Sequence, residues 1–186
     1  MKSKLCGVVV FCLASVVILS LFVACAAPAE KATPSPIEIT DQLGRVVKLE
    51  KIPERIISLA PSNTKILIAL GLWDRVVAVT DYCSFPPGAQ EKPSIGGFST
   101  PNIEEVVALS PDLILATSIH EKSVISKFEE MGMTVFALNP KTLDEVLESI
   151  TLVGEITGKD EETSRLVAGM RDRIKAVTDK TDNLLA

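Results

Sequence analysis

Short apolar segments alternate with amphipathic ones through most of the chain between Ile37 and Thr157. The predicted strands are 37–40, 45–49, 55–59, 76–80, 112–116 and 133–138, and the predicted helices are 64–70, 102–109, 120–131 and 142–157. The first two strands alternate polar and apolar residues around a glycine-containing loop, which predicts a hairpin. The later strands are almost wholly apolar, as expected for a parallel sheet with helices on both faces. We therefore predict an α/β fold with a Rossmann-like, doubly wound sheet of about four parallel strands.

Three of the predicted helices begin with the same polar signature. A capping residue is followed three positions later by glutamate in the pairs Asn102/Glu105, Ser118/Glu121 and Thr142/Glu145. Such capping boxes satisfy backbone N–H groups that the first helical turn leaves without partners. The three matches support the predicted order of helices.

The loops at the carboxyl ends of the parallel strands are the expected place for a ligand. One of them, 81–101, contains four prolines and three glycines, and long loops without secondary structure are usually functional. The four loops expected at this edge are 60–63, 81–101, 117–120 and 139–141.

The two ends of the chain follow other patterns. Lys2 and Lys4 precede a nearly unbroken apolar run, Leu5 to Ala27, which is typical of an export signal. Small residues precede Cys25, so this region resembles a bacterial lipobox, with a signal peptide at 1–24 and lipid on Cys25. A retained transmembrane anchor is the alternative, because the run is long enough to cross a bilayer. Residues 25–36 are rich in alanine and proline and predict a tether.

Residues 158–186 predict one long helix. Acidic residues crowd its first turn, where the helix dipole favours them, and a narrow apolar stripe follows, made of Leu166, Met170, Ile174 and Val177. No strand follows this helix in the sequence, so we expect it to act as a connector.

Composition and charge exclude several classes of function. The net charge is −5, and a mildly acidic chain is a poor partner for nucleic acid. Cys83 is the only cysteine in the predicted folded part, which leaves no internal disulfide, and we interpret it as a small apolar residue. Cys83 and His120 lie on different loops, no phosphate-binding motif is present, and His120 has no neighbouring ligands at metal spacing. We therefore predict no enzymatic activity, no catalytic residues and no metal site.

Three segments together resemble the vitamin B12 and ferric-siderophore binding proteins of ABC importers. They are 55–64 (RIISLAPSNT), 82–87 (YCSFPP) and 96–116 (GGFSTPNIEEVVALSPDLILA). The resemblance implies two Rossmann-like lobes joined by a long helix, with the ligand between them. It assigns 37–157 to the first lobe and 158–186 to the start of the connector, and it places no second lobe in this sequence.

The resemblance also assigns candidate site residues. Tyr82 and Phe98 match positions where cobalamin binders place aromatic rings against the ligand, although both rings could instead serve to pack the long loop. Ser62, Asn63 and His120 lie in the neighbouring loops and are further candidates for ligand contact, with a surface role as the alternative for His120.

Two charged residues complete this set. Glu104 matches the acidic residue that pairs with permease arginines, and alternatively serves its own helix, where a first-turn glutamate contributes about 0.3–1 kcal/mol. Lys65 departs from the family, which often has glutamate there. It would favour an anionic ligand group or be a solvated surface lysine.

The implied function is capture of a corrinoid and its delivery to an ABC permease from the outer face of the plasma membrane. The alternatives are a ferric-siderophore or haem binder, or a lipoprotein that binds nothing. No resident cofactor is expected beyond the metal-chelate ligand itself, and one lobe alone should bind weakly.

Overall fold

The computed structural model describes residues 36–185, apart from the side chains of Lys122 and of residues 182–185. The predicted signal peptide, Cys25 and the tether up to residue 35 lie outside the described residues. Among the residues described, no helix combines the length and the hydrophobicity that a membrane span requires.

Strands and helices alternate in the predicted order. The strands are β1 (Ile37–Thr40), β2 (Val46–Leu49), β3 (Ile56–Ser58), β4 (Val76–Ala78), β5 (Leu113–Thr117) and β6 (Val135–Leu138). The α-helices are α1 (Pro61–Ala69), α2 (Ile103–Ala108), α3 (Ser126–Glu130), α4 (Leu143–Thr157) and α5 (Asp160–Leu185). Short 3₁₀-helices occupy Trp73–Arg75, Ala89–Glu91 and Ser118–His120, and a π-helix occupies Glu121–Ile125.

The four-stranded sheet has the order β4-β3-β5-β6, and all of its neighbouring strands are parallel. The chain first runs outward from β3 to β4 and then returns past β3 to reach β5. The loops that leave β3 and β5 therefore diverge, which creates the topological switch point where open α/β sheets bind ligands. The α/β class, the parallel sheet, the hairpin and the long final helix are all confirmed.

Alternate residues of each strand enter different cores. Ile56, Leu113 and Leu115 pack on the face covered by α1, α4 and the hairpin. Ile57 and Ile114 pack on the opposite face, which includes residues of α2 and α3. Because both faces are covered, strand residues on either side are apolar, as the sequence pattern predicted.

The β1–β2 hairpin covers the outer edge of the sheet. The Asp41 carboxylate accepts a hydrogen bond from Ala137 N–H at 3.1 Å, and Gln42 N–H donates to the Ala137 carbonyl at 3.2 Å. Both bonds satisfy backbone groups of edge strand β6 that would otherwise face solvent. The hairpin therefore closes one side of the sheet.

Two helix starts differ from the predictions. Helix α1 begins at Pro61 and not at Thr64, because proline fits the first helical position, where no N–H is needed. The capping box predicted for Ser118 and Glu121 is wrong. It lies one residue earlier, between Thr117 and His120, and the predicted helix 120–131 is a succession of π-helix and short α-helix.

For the capping boxes predicted at Asn102 and Thr142, the hydrogen bonds accepted by the capping side chain are confirmed. The Asn102 side chain accepts from Glu104 N–H and Glu105 N–H, and the Thr142 hydroxyl accepts from Glu145 N–H.

Helix α5 is 26 residues long, and its N-terminal part packs against α4. Leu166, Met170 and Ile174 are partly buried against the core, whereas Val177 is 62% exposed. The predicted apolar stripe therefore packs on the lobe for its first part only.

Candidate ligand-binding site

A cleft of about 410 Å³ lies at the carboxyl end of the sheet, beside the switch point. It is formed by the start of α1 and the long loop that follows β4. Its walls are Pro61, Ser62, Tyr82, Gly97, Phe98, Ser99 and Thr100. Three of the predicted site residues, Ser62, Tyr82 and Phe98, are thus brought together.

The long loop after β4 contains backbone hydrogen bonds and isolated bridges. Ile95 N–H donates to the Val79 carbonyl at 3.0 Å, and Asn102 N–H donates to the Ile95 carbonyl at 2.8 Å. Gly96 and Pro101 form an isolated antiparallel bridge, and Gly96 has φ of 81°, a conformation that glycine adopts without strain. These contacts pin the base of a small loop whose tip carries Phe98.

Large apolar side chains are exposed on the loops at this edge of the sheet. Tyr82 is 67% exposed, and Phe98 is half-buried. Phe85 and Ile119, on the loops after β4 and β5, are also largely exposed. Sequence reasoning missed these last two residues, although their position in loops at the ligand edge was available as a signal. Large exposed apolar side chains at one edge of a fold commonly mark a binding surface.

Asn63 lies behind the cleft and not on its surface. Its side chain is 1% exposed, and its amide donates to the carbonyls of Leu115 and Ala116 at 3.1 and 3.0 Å. The amide therefore ties the start of α1 to the end of β5. This placement differs from the expected ligand contact, because Asn63 satisfies buried backbone carbonyls instead.

His120 also lies behind the cleft and is fully buried. Its Nδ1 is 3.0 Å from the backbone N of Thr117, and its Nε2 is 2.6 Å from the carbonyl of Phe98. The surface position given as the alternative for His120 is wrong, because the ring is buried, and its direct contact with a ligand stays a prediction. Both ring nitrogens are engaged by backbone groups.

The remaining candidates lie outside the cleft walls. Glu104 and Lys65 are exposed on α2 and α1. Cys83 is 1% exposed, with its sulfur 3.2 Å from the Thr64 hydroxyl and 3.4 Å from the Thr80 hydroxyl. Its side chain is a packed component of the core.

A second cleft, of about 430 Å³, opens beside the fourth predicted loop. It is lined by Thr40, Asp41, Gln42, Asn139, Lys141, Glu145, Glu148 and Leu152. This cleft is slightly larger, but its walls are mainly charged and amide side chains. The cleft with Tyr82 and Phe98 is better suited to a flat apolar ligand. In the described part of the chain, no group of three or more histidine, cysteine, aspartate or glutamate side chains is arranged to hold a metal.

Residues 56–185 match the family model described as periplasmic binding protein. The chain is 34% identical over 162 residues to an uncharacterized ABC transporter substrate-binding lipoprotein of Bacillus subtilis, and the match covers 83% of this chain and 50% of that protein. It is 32% identical over 156 residues to a cobalamin-binding protein of Halobacterium salinarum, with 82% and 42% covered.

Among solved structures, the periplasmic vitamin B12 binding protein of Vibrio cholerae superposes with a TM-score of 0.62 at 34% identity. That superposition covers 69% of this chain and 51% of the other. The chain thus spans about half the length of the relatives it matches.

Proposed function

The chain belongs to the periplasmic binding protein family, and on that basis we propose that its described lobe forms one wall of a corrinoid-binding site in an ABC importer. Two kinds of observation support the proposal. Similar proteins are named for cobalamin or vitamin B12 binding. The cleft at the switch point also presents the aromatic side chains of Tyr82 and Phe98.

The chemistry of the cleft fits a corrinoid. A corrin ring is large and flat, so apolar and aromatic walls supply most of the contact area. Its amide side chains need hydrogen-bonding partners at the rim. The hydroxyls of Ser62, Ser99 and Thr100 lie in the same cleft walls as the two rings. The cleft therefore offers both kinds of contact.

The carrying observation is the pair of aromatic side chains in the cleft wall, so the decisive experiment removes each of them. Purified chain is dialysed to equilibrium against cobalamin, haem or a ferric siderophore, and bound ligand is read by visible absorbance. Phe98→Ala and Tyr82→Ala should each weaken cobalamin binding by about tenfold, the equivalent of about 1.4 kcal/mol of lost contact. Val177→Ala, which removes an exposed apolar side chain from α5, should leave binding unchanged. Binding of haem or the siderophore without any cobalamin response would contradict the corrinoid assignment.

The described lobe alone should bind cobalamin weakly. Small-molecule sites normally bury roughly 70–90% of the ligand surface, and a single wall leaves one face of a flat ligand in solvent. Losing half of that contact lowers affinity by several powers of ten, since each 1.4 kcal/mol is about tenfold. Nanomolar binding by a monomer of this chain in the same dialysis would refute this expectation.

We propose that Glu104 docks on the permease. It is exposed on the first turn of α2, beside Glu105, and both backbone N–H groups bind the Asn102 side chain. Glu104→Gln and Glu105→Gln therefore lose the same helix-dipole contribution. In cross-linking to membranes containing the permease, Glu104→Gln should reduce capture and Glu105→Gln should not. Equal effects would assign Glu104 to its own helix.

We also propose that Cys25 is lipidated and anchors the protein on the outer face of the membrane. The support is the apolar run that ends in Val23-Ala24 directly before Cys25, together with the similarity to a protein named as a lipoprotein. Cells grown with radiolabelled fatty acid should label the wild-type chain but not Cys25→Ser. Label retained by the serine variant would exclude this anchor.

A further inference from the structure

The buried ring of His120 connects two loops at the ligand edge of the sheet. The Thr117 backbone N–H can only donate, so Nδ1 of His120 accepts its hydrogen bond. The Phe98 carbonyl can only accept, so Nε2 carries the proton and donates at 2.6 Å. The neutral Nε2–H form of the ring satisfies both partners. The imidazole therefore links the end of β5 to the loop after β4.

Phe98 is held by this ring at two points. Besides the bond to its carbonyl, its phenyl ring lies 5.5 Å from the imidazole centroid at an interplanar angle of 77°. This edge-to-face geometry is favourable for aromatic pairs. The base of the same loop is pinned by the Gly96–Pro101 bridge. His120 thus supports the tip of the loop, where the cleft wall stands.

We infer that His120 is a positioning residue, which fixes the aromatic wall at Phe98 in the orientation that a flat ligand requires. The inference rests on the proposed function only in taking this cleft as the ligand site. A wall that is held in place before binding saves the entropy of ordering it, and affinity rises accordingly. His120 acts on the ligand through Phe98 and not by its own contact.

A purely structural histidine would also be buried, so the test must separate the two tasks of the ring. The Asn side-chain oxygen can replace Nδ1, which caps the turn after β5, but it does not reach Phe98. The Gln side-chain nitrogen can replace Nε2, which holds the Phe98 carbonyl. The two variants therefore form a matched pair: His120→Asn loses the hydrogen bond to the Phe98 carbonyl, and His120→Gln loses the bond from the Thr117 N–H.

The first readout needs no ligand. Hydrogen exchange is measured in both variants for the Asp81 and Asn102 backbone amides, which donate to the Gly96 and Ile95 carbonyls at the base of the loop. It should be about tenfold faster than wild type in His120→Asn and close to wild type in His120→Gln, since one hydrogen bond holding the loop is lost only in the first. Thr117→Val, which removes the capping hydroxyl and leaves the Phe98 contact, should keep exchange of these two amides slow. Equal exchange in the Asn and Gln variants would overturn the inference.

The second readout is cobalamin affinity. His120→Asn should lose about as much affinity as Phe98→Ala, and the double variant should lose little more, because both changes remove the same wall. His120→Gln should retain wild-type affinity within about threefold. Additive losses in the double variant would show that His120 acts independently of Phe98 and would refute the inference.

The two readouts separate this inference from the proposed function. If wild-type chain binds no corrinoid but the exchange difference is found, the corrinoid assignment fails and the role of His120 in holding Phe98 stands. If neither His120 variant folds, Phe98→Leu provides the test, because it removes only the ring contact. Slow exchange of the Asp81 and Asn102 amides in Phe98→Leu would show that the hydrogen bond to the Phe98 carbonyl holds the loop, and fast exchange would contradict this.

Discussion

Replacing Gly154 with alanine should destabilise the lobe, although alanine is the better helix former. Gly154 is buried in α4 where α5 crosses it. A Cβ added there would lie 1.9 Å from the Thr163 hydroxyl oxygen and 2.7 Å from the Thr163 Cβ. Rotating the Thr163 side chain relieves the first contact but not the second, because Cβ is fixed to the backbone. Helix α5 must therefore shift away from α4.

The magnitude follows from two opposing effects. Overpacking a closely packed contact costs about 1–3 kcal/mol, and exchanging glycine for alanine inside a helix returns about 1 kcal/mol. We expect Gly154→Ala to lower the free energy of unfolding by up to about 2 kcal/mol, the balance of these two effects. Gly169, on α5, is the matched control, because a Cβ there meets nothing within 4 Å. Gly169→Ala should raise the free energy of unfolding by about 0.5–1 kcal/mol.

The assay is urea unfolding followed by circular dichroism. With a slope of about 1–3 kcal/mol per molar urea, the midpoints of the two alanine variants should differ by about 1 M. Adding Thr163→Ala to Gly154→Ala should recover part of the loss, since the hydroxyl and methyl contacts disappear and the Cβ contact remains. Stabilisation by both glycine substitutions would refute the close approach of α4 and α5.

Three further predictions test other parts of the fold. Asp41→Ala should cost about 3 kcal/mol in urea unfolding, because the backbone N–H groups of Leu43, Arg45 and Ala137 lose their acceptor, although the Arg45 charge still pairs with Glu129. Loss of the exposed Glu38–Lys48 pair through Glu38→Ala should have little effect. Ser110→Gly should raise the midpoint by the equivalent of about 1 kcal/mol, because Ser110 has φ of 46°; an unchanged midpoint would argue against strain there. A hydrogen bond from the Lys159 side chain lowers the pKa of Glu162 from its ordinary value of 4.5. The resulting stabilisation is present above that value and is lost as pH falls through the lowered pKa. Carboxyl chemical shifts during an acid titration should show this midpoint below 4.5, and a midpoint at or above that value would contradict it.

Most of the fold could be predicted from the sequence because the burial of each strand is visible in its pattern of apolar residues. Ile56 and Ile57 enter opposite cores, so a strand covered on both faces must be apolar at every position. Gly158, with φ of 68°, ends α4 in the left-handed conformation that helix termini favour. Such features depend on neighbours in sequence, which is why periodicity and capping rules located them.

The segment after β5 could not be predicted in the same way. Ser118 and Glu121 satisfy the local rule for a capping box, but the actual box uses Thr117 and His120. The choice is made by a distant group, since the other nitrogen of His120 binds the Phe98 carbonyl 22 residues earlier in the chain. A local pattern cannot register a contact that exists only after β4 and β5 have been brought into one sheet.

The same reasoning explains where the candidate site residues lie. Tyr82 and Phe98 stand at the cleft, where large apolar side chains remain exposed because the fold gives them no complete partner. From the sequence alone, the polar side chains of Asn63 and His120 are equally plausible ligand contacts. In the structure, Asn63 donates to a carbonyl of β5, and His120 bonds to backbone groups of Thr117 and Phe98. A polar side chain in a loop at the ligand edge can either meet the ligand or hold the wall that does. Burial separates the two, and burial at a loop depends on the tertiary arrangement of β3, β4 and β5. The aromatic wall and the buried polar groups behind it should therefore be tested as one unit, with substitutions that distinguish contact from support.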